Sequence, residues 1–285
     1  MKAVLDTNIV RTLGQPNDGN HEVILRGLRR LLVGGFSLHL AYFTVVELME
    51  QVHELRFPWS DWKLARSSLQ QLLDPDEPIA LGGTELLADL GIFTKDGAAA
   101  VPRGLRENLN EAWVAMTTAS VPGEFPSPSH KRQIEKDSWA EMFEGLHAEA
   151  KKAVGDVPEP IDLTSMDGSL GEGMFRLFCE SWDTKTRVSG GPKPSVRLDA
   201  MFRVVAHLFR RRMAAKPYNS RKRANDVFDW ELLRYLAVPA LVCTGDRKLM
   251  KAVEESGTWQ RKWVLGPAEL EHLANGAPQP ELDWP

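Results

Sequence analysis

Short apolar runs that stop on acidic residues, alternating with stretches of helical period, occupy both ends of this chain. They constrain its fold more than any other feature. Ala3-Val4-Leu5 ends on Asp6-Thr7-Asn8. Residues 23–33 then carry apolar side chains at 24, 25, 28, 31 and 32, a helical period that Gly34-Gly35 stops. Residues 36–42 alternate like a second strand, and residues 44–55 read as a helix ended by Pro58. Strand, helix, strand, helix is the opening of a parallel α/β sheet. The pattern returns at the far end. Residues 226–236 read as a helix, 240–243 as a third strand, 247–255 as a helix and 262–265 as a fourth strand. Residues 270–273 make a short turn before a Pro-rich tail expected to fray.

Between these halves the character changes. Pro75, Pro78, Gly82-Gly83 and Gly91 punctuate the chain. Residues 107–117, 133–152 and 196–213 read as helices, and 121–129, 157–173 and 188–195 as loops. The expected fold is α/β, a Rossmann-like three-layer core with a parallel sheet, interrupted by a large, mostly helical insert. Its parts are the N-terminal half of the core (1–72), the insert (73–215), the C-terminal half of the core (216–273) and the tail (274–285).

Four acidic blocks sit where a strand stops or a helix starts: Val4-Leu5-Asp6-Thr7-Asn8, Thr44-Val45-Val46-Glu47, Asn225-Asp226-Val227-Phe228-Asp229 and Thr244-Gly245-Asp246. In a parallel sheet ligands bind beyond the carboxyl ends of the strands. Carboxylates gathered there repel one another unless a cation neutralises them or some hold protons. Mg²⁺ and Mn²⁺ take such oxygen ligands. Each acid also has a plainer role. Asp6, Asp226 and Asp246 can cap helices, and Thr44-x-x-Glu47 has the spacing of a capping box. Four caps all at sheet-side ends are harder to explain by chance than one cation site. Asp226 and Asp229 lie three apart on one helix, so they project from the same side, and the spacing does not choose between them.

The ordered set resembles the PIN domain, a nuclease fold. The matching pieces are the apolar strand into Asp6-Thr7-Asn8, Thr44-x-x-Glu47-Leu48, the helix from Asn225-Asp226 through Asp229-Trp230, and Leu241-Val242-Cys243-Thr244-Gly245-Asp246 with Leu249 behind it. Together they cover about the first 55 and the last 65 residues. The resemblance implies a PIN-like core and a Mg²⁺- or Mn²⁺-dependent endoribonuclease. Its ligands would be Asp6, Glu47, Asp246 and Asp226 or Asp229, with Asn8, Thr44 and Thr244 orienting them. It also implies a toxin or defence role with an antitoxin or other protein partner. The insert is longer than a minimal PIN domain needs. Two other readings are a structure-specific DNA nuclease and a non-catalytic nucleic-acid-binding or scaffold protein.

The net charge is −4, so binding of RNA or DNA needs a local patch. Arg210-Arg211-Arg212 and the stretch from Lys216 through Arg221-Lys222-Arg223 supply cations just before Asp226, with Tyr218 among them to stack on a base. Arg247 and Lys248 follow Asp246. The histidines lack zinc spacing, and the glycine pairs lack the strand and the Lys-Ser/Thr of a phosphate loop. Two cysteines, Cys179 and Cys243, fit a reducing compartment rather than a disulfide framework. There is no apolar run of transmembrane length and no signal-peptide pattern at the start. The expectation is a cytoplasmic protein that can form a homodimer, its oligomeric state left open by the sequence, with no membrane partner.

Overall fold

The structure, a computed structural model, describes residues 1–90, 104–127, 192–204, 207 and 231–285. Its centre is a four-stranded sheet in the order β2-β1-β3-β4, with β1 (Lys2–Leu5), β2 (Ser37–Leu40), β3 (Ala240–Cys243) and β4 (Val264–Leu265). Every pairing is parallel. Leu5 stands opposite both Leu40 and Cys243, so β1 and β3 end level with each other. Their side chains are apolar almost throughout because helices cover both faces of a parallel sheet. Ala240 through Cys243 are all buried.

The helices follow the sequence closely. After α1 (Thr7–Leu13), α2 (His21–Val33) buries Ile24, Leu28 and Leu31, one stripe at helical spacing. Gly35, at φ 84°, reverses the chain after α2, and the Phe36 N–H returns to the Leu31 carbonyl. Next come α3 (Tyr42–His53), α4 (Trp59–Leu72), α5 (Gly83–Asp89) and α6 (Leu105–Thr118). At the C-terminal end are α7 (Arg247–Glu255) and α8 (Pro267–Ala274). Leu5, Ile9, Leu38, Leu40, Trp62 and Trp263 are among the fully buried side chains of a single core. Among the described residues no helix is long and apolar enough to cross a membrane.

Several elements differ from expectation. The second strand is shorter and α3 begins at Tyr42, two residues early, so Thr44 lies inside the helix and does not cap it. No element was expected between Pro58 and Pro75, where α4 buries Trp62, Ala65, Leu69 and Leu72. Residues 73–81, assigned to the start of the insert, run beside β2. Leu73 bridges to Leu38 and Ile79 to Leu40. Residues 259–263 form a 3₁₀ turn, which shortens β4 to two residues. The tail does not fray. Trp263 Nε1 donates to the Glu281 carbonyl (3.0 Å), and Gln279 Nε2 to the Arg30 carbonyl (2.8 Å). Trp284 stacks edge-on against Trp263 and Trp259, and the Arg197 guanidinium lies 5.3 Å from its ring centre. Aromatic burial and two hydrogen bonds offset the ordering of a short segment that prolines already stiffen. The helix read at 133–152 and the loops at 157–173 and 188–191 lie outside the described residues.

Candidate metal centre

The chain leaves β1 toward β2 on one side and returns to β3 on the other, so the sheet order reverses between β1 and β3. A crevice opens at the carboxyl ends of strands flanking such a switch point. Asp6 is the first residue past β1, and Thr244-Gly245-Asp246 follow β3.

Asp6 is held by neutral donors. Its N–H donates to the Cys243 carbonyl (2.9 Å), which ties it to β3. Its Oδ1 accepts from the Thr7 N–H at 2.6 Å, capping α1. Its Oδ2 accepts from Thr244 Oγ1 (2.7 Å) and Asn8 Nδ2 (3.2 Å). Thr244 is fully buried, and its hydroxyl oxygen accepts the Asp246 N–H (3.0 Å). A single hydroxyl therefore links the two loops. Gly245 lets them meet, because a Cβ there would come 3.0 Å from the Asn8 Cβ.

Asp246 caps α7 as the plainer reading expects. Its Oδ1 accepts from the N–H groups of Lys248 (2.6 Å) and Leu249 (3.0 Å). Both bonds end on Oδ1, and no described residue donates to Oδ2. Capping and cation binding are thus compatible on one carboxylate.

Glu47 reaches the crevice from α3. Its Oε2 accepts from Thr7 Oγ1 at 2.5 Å. Thr7 therefore binds both acids, Asp6 through its backbone and Glu47 through its hydroxyl. The pocket beside them is lined by Asp6, Ala41, Phe43, Thr44, Glu47, Leu232 and Tyr235. Asp6 keeps part of its surface open, yet burial pushes its carboxyl above the ordinary range. The bonds from Thr244, Asn8 and Thr7 offset this only in part, and the nearby Asp246 adds to it. A buried carboxylate with no cationic donor among the described residues, pushed up a little further by a second carboxylate, is the environment that a divalent ion relieves.

Asn8 and Thr244 both donate to Asp6 Oδ2. Thr44 does not. Its hydroxyl donates to the Leu5 carbonyl (3.0 Å), so it fixes the end of β1 and no carboxylate, because α3 starts early and turns it inward. Two contributors were missed. Thr7 sits between two residues that attracted notice. Tyr235 places its hydroxyl at the first turn of α3, where it accepts the Tyr42 N–H (3.0 Å). Burial raises the Tyr235 phenol, so it stays protonated. Cys243 is buried as expected, and burial pushes its thiol up to about 12, which removes it as a nucleophile. Arg247 and Lys248 are exposed on the first turn of α7, and neither makes an ion pair among the described residues. Asp226, Asp229, Arg221, Lys222 and Arg223 lie outside the described residues, as does the basic stretch from Arg210 to Tyr218.

Among the described residues no three His, Cys, Asp or Glu side chains close into a metal cage. The donors present are all oxygen, which fits a hard cation rather than zinc. Comparison with family models, with characterised proteins and with solved structures found no match to this chain.

Proposed function

We propose that this chain is a Mg²⁺- or Mn²⁺-dependent nuclease that hydrolyses phosphodiester bonds in RNA. The observation that carries this reading is the linkage of acids at the switch point. Thr7 ties Asp6 to Glu47, Thr244 ties Asp6 to the Asp246 backbone, and every donor to Asp6 and Asp246 among the described residues is neutral. Simple phosphate binding does not want clustered carboxylates, whereas a cation does. Asp6, Glu47 and Asp246 would hold the ion, joined by Asp226 or Asp229. Bound there, it supplies the polarisation of a phosphodiester and a lowered pKa for attacking water.

The protein groups have separate tasks. Thr244 and Asn8 fix the Asp6 carboxylate, as partners of metal-binding carboxylates do. Arg247 and Lys248 stand beside Asp246, where they can draw the polyanionic backbone in. Arg221, Lys222 and Arg223 would extend that patch. A toxin or defence role follows from the PIN resemblance alone.

The test is cleavage of labelled single-stranded RNA by the wild type and Asp246→Asn, with Mn²⁺ and with EDTA. Cutting that requires both the ion and Asp246 is the expected result. No cutting of RNA or DNA by folded protein would overturn the proposal and favour a non-cleaving binding role.

A further inference from the structure

The hydroxyl of Tyr235 is only half used. The residue is 3% exposed, and its oxygen accepts the Tyr42 N–H at 3.0 Å. A phenol also carries a hydrogen to donate. Among the described residues no acceptor takes that hydrogen. Burial keeps the phenol protonated, so the hydrogen stays in place. A buried donor calls for a partner, and the pocket beside the acids has room for one. Tyr235 lines it with Ala41, Phe43 and Thr44, from the turn that its hydroxyl pins, and with Asp6 and Glu47. The cavity measures about 10 Å³, the space that a single water needs.

We propose that this pocket is a water site, and that Tyr235, acting through the water, positions Asp6 and Glu47. The Tyr235 O–H donates to the water oxygen, and the water donates its hydrogens to the two carboxylates. Three polar partners are what a buried water ordinarily finds. A cation suits this space less well. The hydroxyl turns a hydrogen to it, and Ala41, Phe43 and Leu232 are apolar. From the loops, Thr7, Asn8 and Thr244 already hold the two acids. The water adds a neutral donor from the Tyr235 side and leaves their charge for a cation to meet. The water site stands on the pocket alone. Its effect on cation binding rests on the nuclease reading.

The test starts from crystals of the wild type and Tyr235→Phe grown with Mn²⁺, with diffraction recorded at the manganese edge so that ion and water are told apart. The wild type should show a peak without anomalous signal about 2.8 Å from Tyr235 Oη, within reach of both acids. Tyr235→Phe should lose that peak while α3 still starts at Tyr42. An empty pocket in the wild type, or an anomalous peak inside it, would sink the proposal. Thermal melts across a Mn²⁺ titration read the positioning role. Tyr235→Phe should need about tenfold more Mn²⁺ for half of the rise in Tm, with KM for RNA unchanged. An unmoved Mn²⁺ midpoint, or a midpoint and KM that rise together as α3 shifts, would refute positioning. Were Tyr235→Phe unfolded, Ala41→Val, which narrows the pocket and keeps the hydroxyl, should expel the water and raise the same midpoint. A wild type that binds Mn²⁺ and cuts nothing would sink the nuclease reading and leave the water site standing.

Discussion

The two ends of the sheet treat their carboxylates in opposite ways. At the amino end, Glu77 meets Lys2 Nζ at 2.5 Å and also pairs with Arg106. Burial alone would raise its carboxyl, but the Lys2 bond and charge, with Arg106, hold it below the ordinary range. The Glu77 carbonyl receives His39 Nδ1 at 2.5 Å, so Nδ1 carries a proton, and Nε2 lies 2.9 Å from Ser37 Oγ. At the carboxyl end, Asp6 is more deeply buried than Glu77 and, among the described residues, receives only neutral donors, so burial, with Asp246 nearby, moves its carboxyl up instead. Where a carboxylate serves the fold, the chain supplies its own counter-ion. Where Asp6 and Asp246 converge the described residues supply none, and that difference motivates an external cation.

The contrast breaks first on activity. Asp246→Asn keeps the helix cap, since Asn caps as well as Asp, so its folding should be almost unchanged. RNA cleavage should nonetheless fall by at least about 100-fold, because a ligand should cost no less than its supporting shell. A variant that still cuts would make Asp246 a cap and nothing more. Thr244→Val comes next. It removes the hydroxyl between Asp6 and the Asp246 N–H in a fully buried place, and cleavage should drop roughly 10- to 100-fold. Thr244→Ser, which keeps the oxygen, should recover most of it. Equal rates for Thr244→Val and wild type would show that the link between the loops is only structural.

Much of this arrangement is legible in the sequence, and what is not has physical causes. The runs Ala3-Val4-Leu5 and Leu241-Val242-Cys243 announce buried parallel strands because such strands are apolar throughout. Asp6 and Asp246 announce themselves because strand ends in such sheets face a crevice. Thr44 misled because capping spacing does not reveal where a helix starts. Tyr235, 193 residues from Tyr42, supplies the acceptor that lets α3 begin earlier, and no local pattern encodes that contact. Helix α4 was hidden by prolines on both sides, although its buried residues keep helical spacing. Thr7 was overlooked because a hydroxyl between two acids carries no pattern of its own. The tail was misjudged from its prolines, while Trp284, which anchors it, is a lone aromatic whose partners lie elsewhere in the chain.

Stability sharpens the comparison further. A cation that binds only the folded protein should raise Tm, by about 2.7 kcal/mol in stability at a hundredfold excess over Kd. Mn²⁺ should therefore stabilise the wild type and leave Asp6→Asn nearly unmoved, as thermal melts with and without EDTA would show. An equal shift in both proteins would remove Asp6 from the ligand set. Without metal, the sign of the pH effect reports which end of the sheet is titrating. The Asp6 carboxyl is raised in the fold, so the unfolded chain loses its proton first as pH rises. Folding stability then falls between the ordinary carboxyl range and the raised one. Asp6→Asn should abolish that decline, and Mn²⁺ should mask it. A wild type and Asp6→Asn with parallel pH profiles would mean that Asp6 is not strained.

Glu77 carries the smallest effect and the opposite sign. Its carboxyl is lowered in the fold, so its contribution is complete above the ordinary carboxyl range and is lost as pH falls toward the folded value. His39, lowered by burial, also loses stability on acidification, but in a window just below the ordinary imidazole range. The two declines start from different ordinary ranges, that of a carboxyl and that of an imidazole. Glu77→Gln should cost about 1 kcal/mol or less near neutral pH, since Lys2 and Arg106 are about half exposed and screened by water. It should flatten the more acidic of the two declines in chemical denaturation, and leave RNA cleavage unchanged. Loss of cleavage in Glu77→Gln would show that the two ends of the sheet are coupled, and that the amino end is more than a pinned edge.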